Sequence, residues 1–202
     1  MEDEIDYEKC EVSQKILNEL SKIQQHGKAE FIEWLKSTDF FIAPCSKGNH
    51  LNIKGGLAQH SWNVYQLFSE KSQRYNLGLS LDTVIICGLL HDVCKIDFYR
   101  RKKKWDNEKR KKIWQYGYKD KFPIGHGEKS VIILQRFFRL SEQECCIIRW
   151  HMGGFDLSPY GSCAYQRAIE LYPASLALHT ADYESAVFLE NKDEPDKDGG
   201  SQ

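Results

Sequence analysis

Of the seven histidines in this 202-residue chain, five adjoin apolar, helix-like runs. They are His60 in GGLAQHSWNVYQLF, His91 in GLLHD, His126 in FPIGHGEKS, His151 in IIRWHMGG and His179 in LALHTADYES. A buried imidazole needs hydrogen-bond partners. A core neighbour satisfies one such ring, whereas five point to a shared partner, and a metal ion supplies one. In GLLHDVCK, residues 88–95, the apolar run leads straight into His91–Asp92, and Lys95 follows Asp92 by one helical turn. Asp182 follows His179 by three residues, so the two share a helix face. Imidazole nitrogen and carboxylate oxygen without thiolate suit zinc, manganese, iron, nickel or cobalt, and magnesium is admitted as well. A carboxylate beside several imidazoles is also a way to hold two ions by bridging them. His26 and His50 fall in a helix end and a loop and are expected on the solvated surface.

Helices must position these groups. Residues 8–26 place Val12, Ile16, Leu17, Leu20 and Ile23 at helical spacing before Gly27 breaks the run, and a short helix carrying Phe31, Ile32, Trp34 and Leu35 follows. Residues 43–56 are loop by composition. Helices are expected from Leu57 to about Tyr75 and over 81–91, the second almost wholly apolar and therefore central. A buried helix is expected over 127–139, and SEQE at 141–144 is a capping box opening another that ends at Gly153–Gly154. A last long helix covers about 173–190. Residues 97–120 break this pattern. Tyr99, Trp105, Ile113, Trp114, Tyr116 and Tyr118 favour strands, and Asp106–Asn107 signals a turn. The expected fold is all-α with a small β-hairpin-like insertion. A single domain is expected over 1–190, with N-terminal helices at 8–37 and a core unit at 54–190; the acidic tail 191–202 is expected to be disordered.

Composition narrows the function classes. The chain is 41% apolar and 28% charged with a net charge of −1, so no global field draws it to nucleic acid or membrane. No apolar run is long enough to span a bilayer. The acidic start, MEDEIDYEKCE, is the wrong charge for a secretory segment, and a cytoplasmic protein with no membrane partner is expected. The seven cysteines are odd in number and form no CxxC pair. They read as small buried residues kept reduced, and neither a zinc–cysteine site nor a disulfide framework is expected.

The order His60, His91–Asp92, His126, His151, Asp182 resembles the HD-domain metal-dependent phosphohydrolases. GGLAQHS, LLHDVCK and ADYESA agree with it locally, and the resemblance covers roughly residues 54–190. It implies an all-helical fold with a central metal site. His60, His91, Asp92 and Asp182 resemble the core metal ligands. His126 and His151 match the positions that bind a second ion in two-metal members, or that contact phosphate or act as acids in one-metal members. Lys95 matches the lysine of the family's HDxxK pattern, close to the scissile phosphate. Cys94 stands where the family often has glycine. No second histidine and no GYP follow His151, which argues against cyclic di-GMP as substrate. The GGLxxH context is similar to the HD part of certain bacterial 3′→5′ exoribonucleases, whose separate nucleic-acid-binding domain this chain is expected to lack.

A metal lowers the pKa of bound water toward about 7 and neutralises phosphoryl oxygens. The expected activity is therefore attack of metal-bound hydroxide on a phosphomonoester or phosphodiester of a nucleotide or short oligonucleotide. One or two divalent ions would be held by His60, His91, Asp92, His126, His151 and Asp182, with Lys95 adding charge where the transition state gathers it. Between Arg100 and Lys112 nine basic residues minus two acids give a local charge of about +7. Arg101 and Lys102 in that run, together with Lys95, His126 and His151, are the expected substrate-binding residues. The partner is a phosphorylated small molecule or nucleotide, with a short single strand admitted. Trp105, Trp114 and Tyr116 could stack on bases; alternatively the run is a solvated hairpin whose charges prevent edge aggregation. The competing function is a catalytically silent domain of the same fold that senses nucleotide or RNA. Oligomeric state is not written in the sequence.

Overall fold

Eight α-helices and one two-stranded sheet build the described residues: α1 (Glu11–Ser21), α2 (Lys28–Lys36), α3 (Gly56–Arg74), α4 (Leu81–Leu90), β1 (Tyr99–Asp106), β2 (Lys111–Tyr118), α5 (His126–Leu134), α6 (Glu142–Arg149), α7 (Pro159–Leu171) and α8 (Ala174–Glu184). The computed structural model describes residues 10–48, 50–107, 110–156 and 159–190, and the tail expected to be disordered lies outside them. The fold is the all-α one expected, with the hairpin inserted between α4 and α5.

The apolar run over 81–90 is central, as its composition predicts. Every residue of α4 from Thr83 to Leu90 is buried. Ser80 caps its start, its side chain accepting from the Thr83 amide. Helix α3 lies against both α4 and α8, and α5 lies against α6. The expected capping box at Ser141 is present: Ser141 Oγ accepts from the Glu144 amide, and the Glu144 carboxylate accepts from the Ser141 amide. Glu144 is also buried against Thr83, whose hydroxyl donates to it at 3.0 Å, so the cap ties α6 to α4. One apolar cluster runs from Ile16 in α1 through α3 and α4 to Ala181 in α8.

Element ends differ from the sequence expectation. Helix α1 stops at Ser21, although Ile23 beyond it is still fully buried. Helix α5 stops at Leu134, and Phe137 and Phe138 beyond it turn back onto Phe31, with ring centroids 5.4 and 4.9 Å away. The chain makes room for that turn at Gly27, whose φ is +91° and where a Cβ would sit 1.9 Å from the Phe137 carbonyl oxygen. The last helix ends as α at Glu184 and continues as a π-helical turn, Ser185–Leu189. Helix α7 has no counterpart in the sequence reading. No helix among the described residues is long and apolar enough to cross a membrane.

The hairpin is antiparallel over the full length of both strands. The chain enters it through Asp97, whose backbone is left-handed at φ +54° and whose amide donates to Asp39 at 2.8 Å. It leaves toward α5 beside Lys129, which pairs with Asp120 at 2.7 Å and lies over the Phe98 ring.

Phe31 is the fully buried ring that joins α2 to the Phe137–Phe138 turn. Phe31→Ala is expected to lower unfolding free energy by about 3–5 kcal/mol, read from urea unfolding.

Candidate metal centre

Five segments deliver the site. His60 projects from α3, His91 caps the C-terminus of α4 with Asp92 next to it, His126 opens α5, His151 lies just past α6, and Asp182 sits on α8. Lys95 closes a 3-10 turn, Val93–Lys95, whose backbone is held to Asp92 by a 2.9 Å hydrogen bond. All six expected metal-site residues are brought together, and Lys95 joins them.

Asp92 is the hub. Its Oδ2 lies 3.5 Å from His60 Nε2 and 3.6 Å from His91 Nε2. Its Oδ1 lies 2.9 Å from His126 Nε2 and 3.5 Å from His151 Nε2. One oxygen thus faces each pair of imidazoles. Asp182 Oδ1 joins the first pair at 3.1 Å from His60 Nε2. Two triads of these residues have ligand atoms close enough to surround one cation, His60, His91 and Asp182, and Asp92, His126 and His151; Cys45, His50 and His60 form a third such group, which the expected thiolate-free site does not include.

The rings are aimed by their other nitrogens. His91 Nδ1 is bonded to the Gly88 carbonyl at 3.0 Å and His151 Nδ1 to the Ile148 carbonyl at 2.7 Å. A carbonyl only accepts, so each Nδ1 carries the proton and each Nε2 presents its lone pair inward. His151 Nε2 is buried without a hydrogen-bond partner, and His60 and His91 turn their Nε2 atoms to each other at 3.4 Å. Lone pairs converging in a buried space beside two carboxylates fit a divalent cation.

His60 Nδ1 is held at 2.8 Å by Glu190, a residue the sequence reading missed. Glu190 is 3% exposed and also accepts from Ser185 Oγ at 2.5 Å and Asn63 Nδ2 at 3.3 Å. It is the last residue of the expected final helix, next to the acidic tail that starts at Asn191, and no local pattern betrays its burial. Burial would raise its pKa, but the His60 bond outweighs that and holds it low.

Electrostatics follow from that packing. Burial pulls His91 down to about 4, keeping it neutral and ready to ligate. Burial would also protonate Asp92, but the Lys95 charge beside it holds its carboxyl well below the usual range. Lys95 Nζ lies 2.6 Å from Asp92 Oδ2. Burial would strip its proton, but that pairing keeps its pKa well above the ordinary lysine value.

Several expectations need correction. His50 is not a solvated surface residue: its side chain is 21% exposed, its Nε2 lies 3.4 Å from Cys45 Sγ and 3.6 Å from Glu190 Oε2, and its ring borders His60. Cys45 is more than apolar filling, with Lys95 Nζ 3.5 Å from its sulfur. Burial works against its thiolate, but His60 and Lys95 bring its pKa down to about 7. The loop 43–56 folds back over the site, which composition alone does not reveal. Glu128, two residues after His126, pairs with Arg149. His179 bonds the His151 carbonyl through Nδ1 at 2.7 Å and supports the His151 turn from behind. That turn needs Gly153, with φ +60°, where a Cβ would meet the His179 ring at 2.4 Å. Arg101 and Lys102 lie on the exposed hairpin, outside the cluster.

The HD domain family model matches residues 57–187, from the start of α3 to the π-helical turn. No curated protein and no solved structure gives a significant match.

Two substitutions test the assembly by elemental analysis of purified protein. Asp92→Ala is expected to lose all bound transition metal, since it removes the carboxylate of one triad and the oxygen that faces His60 and His91 of the other. Glu190→Gln is expected to keep the fold but weaken metal affinity about 10–100-fold; affinity equal to wild type would separate Glu190 from the site.

Proposed function

The chain belongs to the HD-domain family, whose members are in general metal-dependent phosphohydrolases, and on that premise we propose that it hydrolyses a phosphomonoester or phosphodiester of a nucleotide or short oligonucleotide. The observation that carries this reading is the Asp92 carboxylate, with one oxygen toward each of two ligand triads. His60, His91 and Asp182 would hold one divalent ion and His126 and His151 a second, with Asp92 between them. When bound, such ions acidify water and neutralise phosphoryl oxygens.

The chain's own groups do the rest. Asp92 and Asp182 bring negative charge that favours cation binding over solvent. The carbonyl-anchored rings of His91 and His151 keep the ligand set rigid, so little reorganisation is needed as charge develops. Lys95, kept cationic by Asp92, stands at the rim of the site to meet phosphoryl oxygen. His126, with a side chain 32% exposed, is the most accessible imidazole of the set. With a single ion in the first triad, His126 and His151 would instead bind phosphate, and His126 would hand a proton to the leaving oxygen.

Lys95→Ala is expected to keep the metal and lower kcat on a p-nitrophenyl ester about 10²–10³-fold. Chelator-stripped wild type should be inactive and regain activity with manganese. Loss of metal in Lys95→Ala would reassign the lysine to the ligand framework. Inactivity of wild type with every divalent metal, alongside nucleotide-induced thermal stabilisation, would favour the silent sensor.

A further inference from the structure

The hairpin sorts its side chains in a way that the metal chemistry does not require. Its register pairs Tyr99 with Tyr118, Arg101 with Tyr116, Lys103 with Trp114 and Trp105 with Lys112. Cross-strand partners and alternate residues share a face. Every aromatic residue of the two strands therefore falls on one face: Tyr99, Trp105, Trp114, Tyr116 and Tyr118. Arg101, Lys103 and Lys112 share it, and the opposite face carries cations and no aromatic ring.

That aromatic face is open outward and anchored inward. Trp105 is 56% exposed, Trp114 44% and Tyr118 60%. Arg101 and Lys103 lie over the Trp114 ring at 5.1 and 5.0 Å, and Lys47 from the folded-back loop lies over Tyr118 at 5.1 Å. At the inner end the Tyr99 hydroxyl donates to the Cys45 carbonyl at 3.3 Å, and Cys45 Sγ touches Lys95. The face thus begins at the rim of the metal site and runs outward for about 20 Å, at about 3.3 Å per residue over Tyr99–Trp105.

Charges alone suffice to keep a hairpin edge from aggregating. They do not require exposed tryptophans gathered on one side, which work against solubility. Rings interleaved with cations are what a single strand of nucleic acid needs: π-faces for bases and positive charge for phosphates. The run at +7 stands in a chain of net charge −1, so attraction for a polyanion is confined to this arm. A membrane-seeking surface would instead segregate its cations from its rings.

We propose that this face of the hairpin binds a single-stranded oligonucleotide, stacking bases on Trp105 and Trp114 and covering about four nucleotides. The further consequence, that the strand's end is presented to Asp92 and Lys95, rests on the phosphohydrolase reading; the binding itself does not.

The test is fluorescence anisotropy of labelled oligo(U) and oligo(dT) twelve-mers with the full chain, in chelator, across a salt series. Wild type is expected to bind, more tightly at low salt. The Trp105→Ala/Trp114→Ala double variant should bind at least about 10-fold more weakly, the loss of two stacked bases, with unchanged metal content and circular dichroism. Arg101→Ala/Lys103→Ala should flatten the salt dependence. Inorganic polyphosphate or duplex binding as tightly as the single strand, or a tryptophan variant binding like wild type, would overturn the proposal. So would phosphatidylserine vesicles displacing the oligonucleotide in a tryptophan-dependent way. Tryptophan-dependent binding without cleavage after manganese is restored would overturn the presentation of the strand's end to Asp92 and Lys95 and leave the binding standing; the hydrolase reading itself falls only with the p-nitrophenyl ester test.

Discussion

A buried ionised carboxylate organises this molecule. Asp92 is 2% exposed, and an isolated carboxylate in such surroundings would cost several kcal/mol or take up a proton. Here it is surrounded by Lys95 at 2.6 Å and by four imidazole nitrogens within 3.6 Å. Those partners come from α3, the end of α4, the start of α5 and the end of α6, so one charge holds four helices to a common point. The apolar body of α4 makes this possible, because it is packed on every side and delivers its C-terminal His91–Asp92 to a fixed position.

Around that hub the donors are constrained from behind. Carbonyls at the ends of α4 and α6 fix the tautomers of His91 and His151. Glu190 fixes His60 and in doing so docks the π-helical turn at the end of the last helix against α3. The same contact brings in His50 and Cys45 from the loop 43–56. The site is therefore closed on one side by segments that carry no metal ligand among the expected six, and Lys95 lies between that closure and Asp92.

The hairpin leaves the domain at the one place where the chain has just passed the site, two residues after Lys95 turns at Asp97. Its base is fastened by Asp39, Lys129 and the Tyr99 hydroxyl. An insertion so anchored adds surface beside the candidate metal site without disturbing the helices that form it.

The sequence by itself determined the helical architecture, the hairpin and the candidate ligand set. Helical periodicity, the Ser141 capping box and the alternation of aromatic and basic residues are local signals, and the order of His60, His91–Asp92, His126, His151 and Asp182 carries the family's pattern. Helix ends were less legible: α1 and α5 stop early because Ile23, Phe137 and Phe138 are buried by packing and not by helical phase, and α7 has too weak an apolar stripe to announce itself. What only the tertiary structure decided is the turning of one Asp92 oxygen to each pair of imidazoles, the contacts of Glu190, and the approach of His50 and Cys45. Those depend on which atoms of distant segments meet, over separations as long as the 130 residues from His60 to Glu190. A side chain's type is written in the sequence; its burial, its partner and the direction of its lone pair are set only when the helices pack.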